Sequence, residues 1–412
     1  MTKLDELIQE LCPNGVESVP LWSVTTWDKK FNAVDRKKQP KVINYSYLLA
    51  TDLFALQTDG GDVFLLSTGE QTGWTTEELA GDNLKEGEVV TLPWGKSRAV
   101  TDCIKYYKGK FVTADNRIAT SSALEKLDNK YLYYWLMSQG KVIDTFYRGS
   151  GIKHPDMAKV LDMEIPLPPL PVQREIVRIL DNFTELTAEL TAELTARKKQ
   201  YAYYRDKLLH NDATTVYKRL GDFCDLLSGF PFDSGKFKED GIRLMRGMNI
   251  KRGYLDFAEE NNRYWESTDG IEKYLLNDQD IVISMDGSLV GSSYGMVSKK
   301  DLPLLLVQRV TRIRTNQANI RYVYHYIASG RFTEYVHKKK TAGAIPHISL
   351  KDISNFEVPL PSLEIQKRLV EVLDNFDAIC TDLSSGLPAE IEARQKQYEY
   401  YRDKLLTFTP AD

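Results

Sequence analysis

Apolar side chains follow two different periods along this chain. From residue 176 to 208 they recur alternately four and three residues apart, at Ile176, Leu180, Phe183, Thr187, Leu190, Leu194, Arg197, Tyr201, Tyr204 and Leu208, and eight of those ten are apolar or aromatic. This spacing is the seam of a long helix packed against another helix. A second seam runs through Leu369, Leu373, Phe376, Cys380, Leu383 and Leu387, then resumes out of step at Ile391, Arg394, Tyr398, Tyr401 and Leu405. The slip coincides with SSGLP at 384–388. Gly and Pro are poor residues inside a helix, so the second helix is expected to break there. Prolines also mark where the helices begin: PLPPLP and PLPSLE hold the chain extended and should forbid helix before about residue 172 or 365.

Ahead of each helix the pattern changes to short runs such as VVTLP, FVTA, DIVIS and VQRVTRIR, punctuated by Gly, Asn and Asp. These predict strand-rich mixed domains. The two halves also repeat each other. RKKQYAYYRDKLL at 197–209 and RQKQYEYYRDKLL at 394–406 agree at 11 of 13 positions, and IPLPPLPVQREIVRILDNF at 165–183 matches VPLPSLEIQKRLVEVLDNF at 358–376 at 10 of 19. Weaker echoes pair GSGIKH at 149–154 with GAIPH at 343–347, YLYYWLMS at 131–138 with YVYHYIAS at 322–329, and LKEGEVV at 84–90 with LNDQDIV at 276–282. Separations of 191–193 residues for the upstream echoes and 197 for the tyrosine-rich pair are too long for a solenoid and mark two copies of a whole module. The expected fold is α+β with pseudo-twofold internal duplication. Two strand-rich globular domains, 1–164 and 213–357, are separated by long helices at 165–212 and 358–412 that pack as an antiparallel coiled coil.

Composition changes this picture only at its edges. With 412 residues, 42% of them hydrophobic and 27% charged, the chain can build several cores and should not be disordered. Its longest apolar run, LPLLLV at 302–307, is far too short to span a bilayer, and MTKLDELIQELCP lacks a signal-peptide pattern, so a cytoplasmic, membrane-free protein is expected. Four isolated cysteines suit reduced thiols better than a disulfide framework or zinc site. The net charge of −4 argues at face value against nucleic acid. Its distribution weakens that objection: −3 over 1–164, 0 over 165–212, +3 over 213–357 and −4 over 358–412. Basic loops can still face phosphate, because attraction acts within about a Debye length of 8–10 Å.

No catalytic constellation emerges. GFPFDSGKF at 229–237 has five residues between its glycines where a phosphate loop needs four, and Phe follows its Lys. His154, His210, His325, His337 and His347 lack metal-ligand spacing, and no nucleophile elbow or amino-methyltransferase motif is present. Neither a catalytic nor a metal site is expected. Basic clusters interleaved with aromatics remain as candidate DNA-facing residues. They are Lys37, Lys38, Lys41, Thr72, Trp74, Lys96, Arg98, Lys105 and Lys108 in the first module, and Arg246, Asn249, Lys251, Arg252, Ser288, Ser292, Lys338, Lys339, Lys340 and His347 in the second. Arg and Lys suit phosphates or guanine, Asn suits adenine, and aromatics suit stacking. Any one cluster alone reads as a solvated loop, but their doubling in corresponding regions favours a shared role.

The paired helix starts, the paired KQYxYYRDKLL ends and the TAEL tetrapeptides at 187–190 and 191–194 together resemble the specificity subunits of type I restriction-modification enzymes, in the subgroup with a TAEL-bearing central spacer. The resemblance covers essentially the whole chain. It implies two target recognition domains, each reading one half of a bipartite double-stranded DNA site, and spacer helices that set the distance between halves. It implies a chain with no catalysis of its own that seats two modification subunits and, through them, two restriction subunits. S-adenosylmethionine, ATP and magnesium would then be used by those partners and none by this chain. Duplicated helix ends would seat two copies of one partner equivalently; Tyr203, Tyr204, Arg205, Tyr400, Tyr401 and Arg402 are the candidates, Tyr203 and Tyr400 pointing away from the seam. Two readings of other classes compete: a coiled-coil scaffold without DNA affinity, and an enzyme with an unrecognised site, which would turn over without partners.

Overall fold

The computed structural model describes residues 2–69, 72–114, 116–209, 215–340, 346–381 and 385–411. Of the positions singled out above, His210, Leu383, Ser384 and residues 343–345 lie outside that description, as does the 212/213 boundary. The chain divides into two compact units, Met1–Leu190 completed by Ile391–Asp412, and Thr191–Glu390.

The first unit is organised around a six-stranded mixed sheet of β1 (Thr25–Trp27), β2 (Val63–Leu66), β3 (Trp74–Thr75), β4 (Lys85–Pro93), β5 (Lys105–Thr113) and β6 (Asn116–Ser121), in the order β1-β6-β4-β5-β2-β3. β4 and β5 pair antiparallel, setting Glu86 opposite Lys110 and Glu88 opposite Lys108 on one face. Opposite charges across a ladder fix the register. Helix α1 (Asn129–Ser138) is capped by Asp128, whose side chain accepts from the N–H groups of Lys130 and Tyr131. It buries Tyr131, Leu132, Trp135 and Leu136 in a core that includes Val90, Leu92, Val172, Ile176, Leu180 and Leu406.

The second unit splits the corresponding strands between two sheets. β7 (Asp225–Ser228), β10 (Ile281–Ser284), β11 (Tyr294–Met296) and β13 (Val310–Arg314) run in the order β7-β13-β10-β11, while β8 (Ile242–Met245), β9 (Tyr264–Trp265) and β12 (Leu304–Leu306) run β9-β8-β12. Each unit contains a parallel strand pair, β2–β5 in the first and β8–β12 in the second. Helix α3 (Ile320–Ala328), capped by Asn319, stands where α1 stands in the first unit, and α4 (Arg331–Lys339) follows it.

The long helix α2 (Leu170–Leu208) spans 39 residues. It begins two residues earlier than the prolines suggested. Pro171 falls in the first turn, where its missing N–H has no helical partner to lose, so it opens the helix instead of blocking it. The corresponding helix also starts early, at Leu363, and runs to Thr381; the next, Leu387–Leu405, begins after a turn at Ser385 and Gly386. Among the described residues the predicted seam is buried at Ile176 and Leu180 in the first unit and at Tyr201, Leu373 and Cys380 in the second. Between them Leu190 and Leu194 are half-buried and Arg197 is exposed.

A polar clasp ties each domain to its helix. In the first unit the Gln173 amide oxygen accepts from the Asp128 N–H at 2.9 Å, Asp181 accepts from Lys130 at 2.8 Å, and Tyr134 donates its hydroxyl to Asp181 at 2.6 Å. In the second, Gln366 accepts from the Asn319 N–H at 2.9 Å, and Asp374 receives Arg321 through two nitrogens at 2.6 Å and His325 Nε2 at 2.6 Å. The buried Tyr131 and Tyr322 hydroxyls donate to the carbonyls of Pro166 and Pro359 at 3.1 and 2.9 Å, so the proline segments are held from the domain side.

Candidate nucleic-acid interface

In the first unit, neighbouring strands bring aromatics together at the edge of the sheet. Trp74 on β3, 44% exposed, packs on Phe64 of β2 at 5.2 Å, and Phe64 stacks on Tyr107 of β5 at 4.7 Å. Lys37 and Lys41 are exposed, and Asp35 accepts the Lys37 N–H to shape their turn. Lys38 pairs with Asp162, and Lys108, 70% exposed, pairs with Glu88 at 3.2 Å.

Four first-unit candidates turn inward. Thr72 is buried. Lys96 leaves only 8% of its side chain exposed: it pairs with Asp144, donates to the Arg98 carbonyl at 3.2 Å and lies over the Tyr147 ring. Arg98 donates to the Thr68 carbonyl at 2.9 Å and to Cys103 Sγ at 3.4 Å. Lys105 donates to the Gly69 carbonyl, and burial, with the Arg98 charge beside it, pushes its pKa down to about 8. Arg98 and Lys105 brace the 67–69 turn from within and Lys96 braces Arg98, so these groups, expected to face DNA, are engaged inside the unit.

In the second unit three of the candidates, Arg246, Lys251 and Ser288, line one cleft of about 470 Å³ together with Gln308 and Arg309, among others; Arg252, Ser292, Lys338, Lys339, Lys340 and His347 are not among its lining residues. Asn249 turns inward. Fully buried, its side chain accepts from the Arg246 N–H at 3.1 Å and donates to the Asp256 carbonyl at 3.0 Å, which stitches the 246–256 loop and leaves nothing for adenine. Burial, helped by the Arg263 charge, lowers the Arg246 pKa. Lys251 lies 3.6 Å from Asp256, Arg252 is exposed, and Ser292 is half-buried beside Ser293. Lys338, Lys339 and Lys340 form the exposed to half-exposed end of α4, and cations there complement the helix C-terminus. His347 reaches Arg309 at 3.4 Å. Sequence reasoning missed Arg309 and Gln308 because VQRVTRIR read as an uninterrupted strand. The strand begins only at Val310, and Arg309 adopts a φ of +72°, a conformation no sequence pattern announces for arginine.

The tyrosine-rich helix ends repeat almost atom for atom. In the second unit Tyr203 and Tyr204 meet edge to face at 5.4 Å and Tyr204 stacks on Phe376 at 6.0 Å; in the first, Tyr400 and Tyr401 meet at 5.3 Å and Tyr401 stacks on Phe183 at 5.4 Å. Tyr203 and Tyr400 are each 61% exposed, as expected of residues off the seam. Arg205 and Arg402 lie over Tyr201 and Tyr398 at 5.0 and 5.7 Å. Among the described residues no cluster of His, Cys, Asp and Glu could hold a metal ion, and no helix is long and apolar enough to cross a membrane.

Comparison with known proteins gives these features a context. Residues 47–197 and 213–393 match the family model described as the type I restriction modification DNA specificity domain. The chain is 33% identical over 304 residues to the specificity subunit of the type I restriction enzymes EcoR124I/EcoR124II of Escherichia coli, covering 71% of this chain and 74% of that one. It is 30% identical over 343 residues to a putative type I specificity subunit of Mycoplasma pneumoniae, covering 78% and 94%. Among solved structures, the crystal structure of a type I restriction-modification S subunit from M. genitalium shares the fold, with a TM-score of 0.57 at 16% identity over 95% of this chain and 96% of that one. A chain from a type I R-M complex shares it at 0.58 and 18% identity, over 96% and 98%.

Proposed function

Because the chain belongs to the type I restriction-modification DNA specificity family, we propose that it is the subunit through which such a complex selects its DNA sequence, itself without catalysis. Residues 1–164 and 213–357 each read one half of a bipartite site. The helices of 165–212 and 358–412 set the gap between the halves and seat two modification subunits, which in turn admit two restriction subunits. S-adenosylmethionine, ATP and magnesium are used by those partners, in the cytoplasm. The observation that carries this reading is the doubled helix end: two exposed tyrosines, Tyr203 and Tyr400, each braced in the same way by a second tyrosine and a phenylalanine. Two equivalent surfaces on one chain suit two copies of one partner.

On the DNA side, the exposed Lys37, Lys41, Lys108, Arg252, Lys338 and Lys339 suit phosphates, and Trp74 suits a base or sugar face. The TAEL segment, helical and mostly exposed, suits the adjustable part of the spacer, in keeping with the TAEL-bearing subgroup. The deciding experiment exchanges residues 213–357 for the matching segment of a relative and sequences the methylated motif of the host DNA. One half of the motif is expected to change and the other to persist, since base readout is local to each groove. A change in both halves together overturns the two-reader proposal, and the absence of any motif dependent on this chain overturns the function.

A further inference from the structure

Arg309 combines features that structural need alone does not explain. It immediately precedes strand β13, its carbonyl accepts the Met285 N–H at 2.8 Å, and its φ of +72° lies where non-glycine residues are rare. Such outliers persist where the surrounding structure fixes them, often at binding sites. Asn44 also has positive φ, at +58°, but asparagine visits that region readily. Arginine does not.

The Arg309 guanidinium is 55% exposed and only loosely held. Its Nη1 lies 3.4 Å from either His347 ring nitrogen, and its Nε lies 4.0 Å from Asp286. Both contacts are longer than the roughly 2.7–2.9 Å of a committed charge-assisted hydrogen bond. Arg246 lines the same cleft with no carboxylate paired to it among the described residues, and Lys251 and Ser288 complete a polar wall. Met248, 45% exposed, also faces the cleft and offers an apolar contact. A cleft in which Arg246 and Arg309 face the single lining carboxylate of Asp286, with Lys251 shared with Asp256 beyond the lining, favours a ligand that presents acceptors, and an arginine free to use two nitrogens favours a pair of them in one plane.

Building on the reading of this chain as a DNA specificity subunit, we propose that Arg309 reads a guanine, through O6 and N7 in the major groove, in the half-site of residues 213–357, while Arg246 holds an adjacent phosphate. The test is the methylated motif imposed by the full assembled complex carrying Arg309→Gly or Arg309→Lys, beside the unaltered chain. Glycine suits a φ of +72°, so that variant removes the guanidinium and relieves the backbone; lysine keeps the charge but loses the fork. At one guanine of that half-site, discrimination should fall about ten- to hundredfold with glycine and substantially with lysine, the other half staying intact. An unchanged motif, a half-site without guanine, or a loss of methylation equal across all sequences with a shallower salt dependence would overturn the assignment while leaving the two-reader function standing. If the unaltered chain imposed no motif at all, the function itself would fall, and this assignment with it.

Discussion

At the clasp of the first unit, Asp181 is met by a lysine and a phenol, Lys130 and Tyr134; at the corresponding place in the second unit, Asp374 is met by an arginine and an imidazole, Arg321 and His325. The hydroxyl and the imidazole nitrogen both lie 2.6 Å from the carboxylate, and the helices around them share their caps and glutamine locks. Duplication has kept the geometry while the chemistry drifted. The drift has consequences. Arg321 grips its aspartate with two nitrogens where Lys130 uses one, and His325, fully buried, has a second neighbour in Tyr201, whose hydroxyl lies 3.2 Å from Nδ1. The second clasp therefore ties the domain to both helical segments of its unit, through Asp374 and through Tyr201.

The largest effect expected from this contrast is on stability. Asp374→Ala strands a partly buried arginine and a buried histidine, and should cost the second unit about 3 kcal/mol. Asp181→Ala removes one ammonium contact and one phenol contact and should cost the first unit about 1–2 kcal/mol. Hydrogen exchange in the helices Ile320–Ala328 and Asn129–Ser138 reads each unit separately; equal losses would mean that the two clasps are alike in strength.

Next come the tyrosines, where the units should not differ. Tyr204→Ala and Tyr401→Ala each lose a stack on a phenylalanine and should each cost about 1 kcal/mol. Joint replacement of the outward Tyr203 and Tyr400 by alanine should spare the fold but weaken assembly with the modification subunit by about 1–3 kcal/mol for each site. Unchanged assembly at sub-micromolar concentration would remove the docking role.

A smaller effect depends on pH. Burial by itself would raise the Asp374 pKa, but hydrogen bonds from His325 and Arg321 outweigh it and hold the carboxyl below its ordinary value. A carboxyl depressed in the folded state contributes stability above its unfolded pKa of about 3.9 and loses it as pH falls through the folded value. Protection of Ile320–Ala328 should therefore drop on acidification below about pH 4, and Asp374→Asn should flatten that limb. An identical acid limb in the variant would assign the loss to other groups.

The smallest effect on stability is expected between the clasps. Deleting residues 187–190 removes about 6 Å of rise and about 400° of rotation, a net 40° close to the twist of one base pair. Rise favours two base pairs and twist favours one. Twist should decide, because a domain facing away from its groove loses it, whereas DNA bending absorbs a few ångströms for about 1–6 kcal/mol. The methylated motif of the deletion strain should show a gap shorter by one base pair and unaltered half-sites; an unchanged gap would show that the TAEL segment sets no distance.

How much of this was legible in advance depended on the range of the interactions. The duplication, the strand-rich domains and the interrupted second helix follow from sequence pattern, and the first helix start was missed by two residues because Pro171 sits in a first turn. The inward turn of Lys96 and Lys105 was not legible, because Asp144 and Gly69 lie 48 and 36 residues away in sequence. Asn249 looked like an adenine reader until its loop was closed by Asp256, and Arg309 looked like a strand residue until its backbone angle was known. Lys37, Lys41 and Lys108 are exposed, as a DNA-facing role requires, and of the second-unit candidates Arg246, Lys251 and Ser288 share one cleft. What the sequence lacked was the knowledge of which charges were already spoken for.

The division of the chain also fixes an order in time. The first unit is built from residues up to Leu190 together with those after Ile391, and Val16 is joined to the segment around Pro410 by hydrogen bonds of 2.9 and 3.1 Å. On the ribosome its two parts emerge with the 200 residues of the second unit between them. At about 5–20 residues per second that interval lasts about 10–40 s, during which Ile176 and Leu180 wait for the helix bearing Tyr398 and Leu405. The unit that begins synthesis first is thus completed last, and a premature stop after residue 390 would spare every residue of the second unit while leaving the first unclosed.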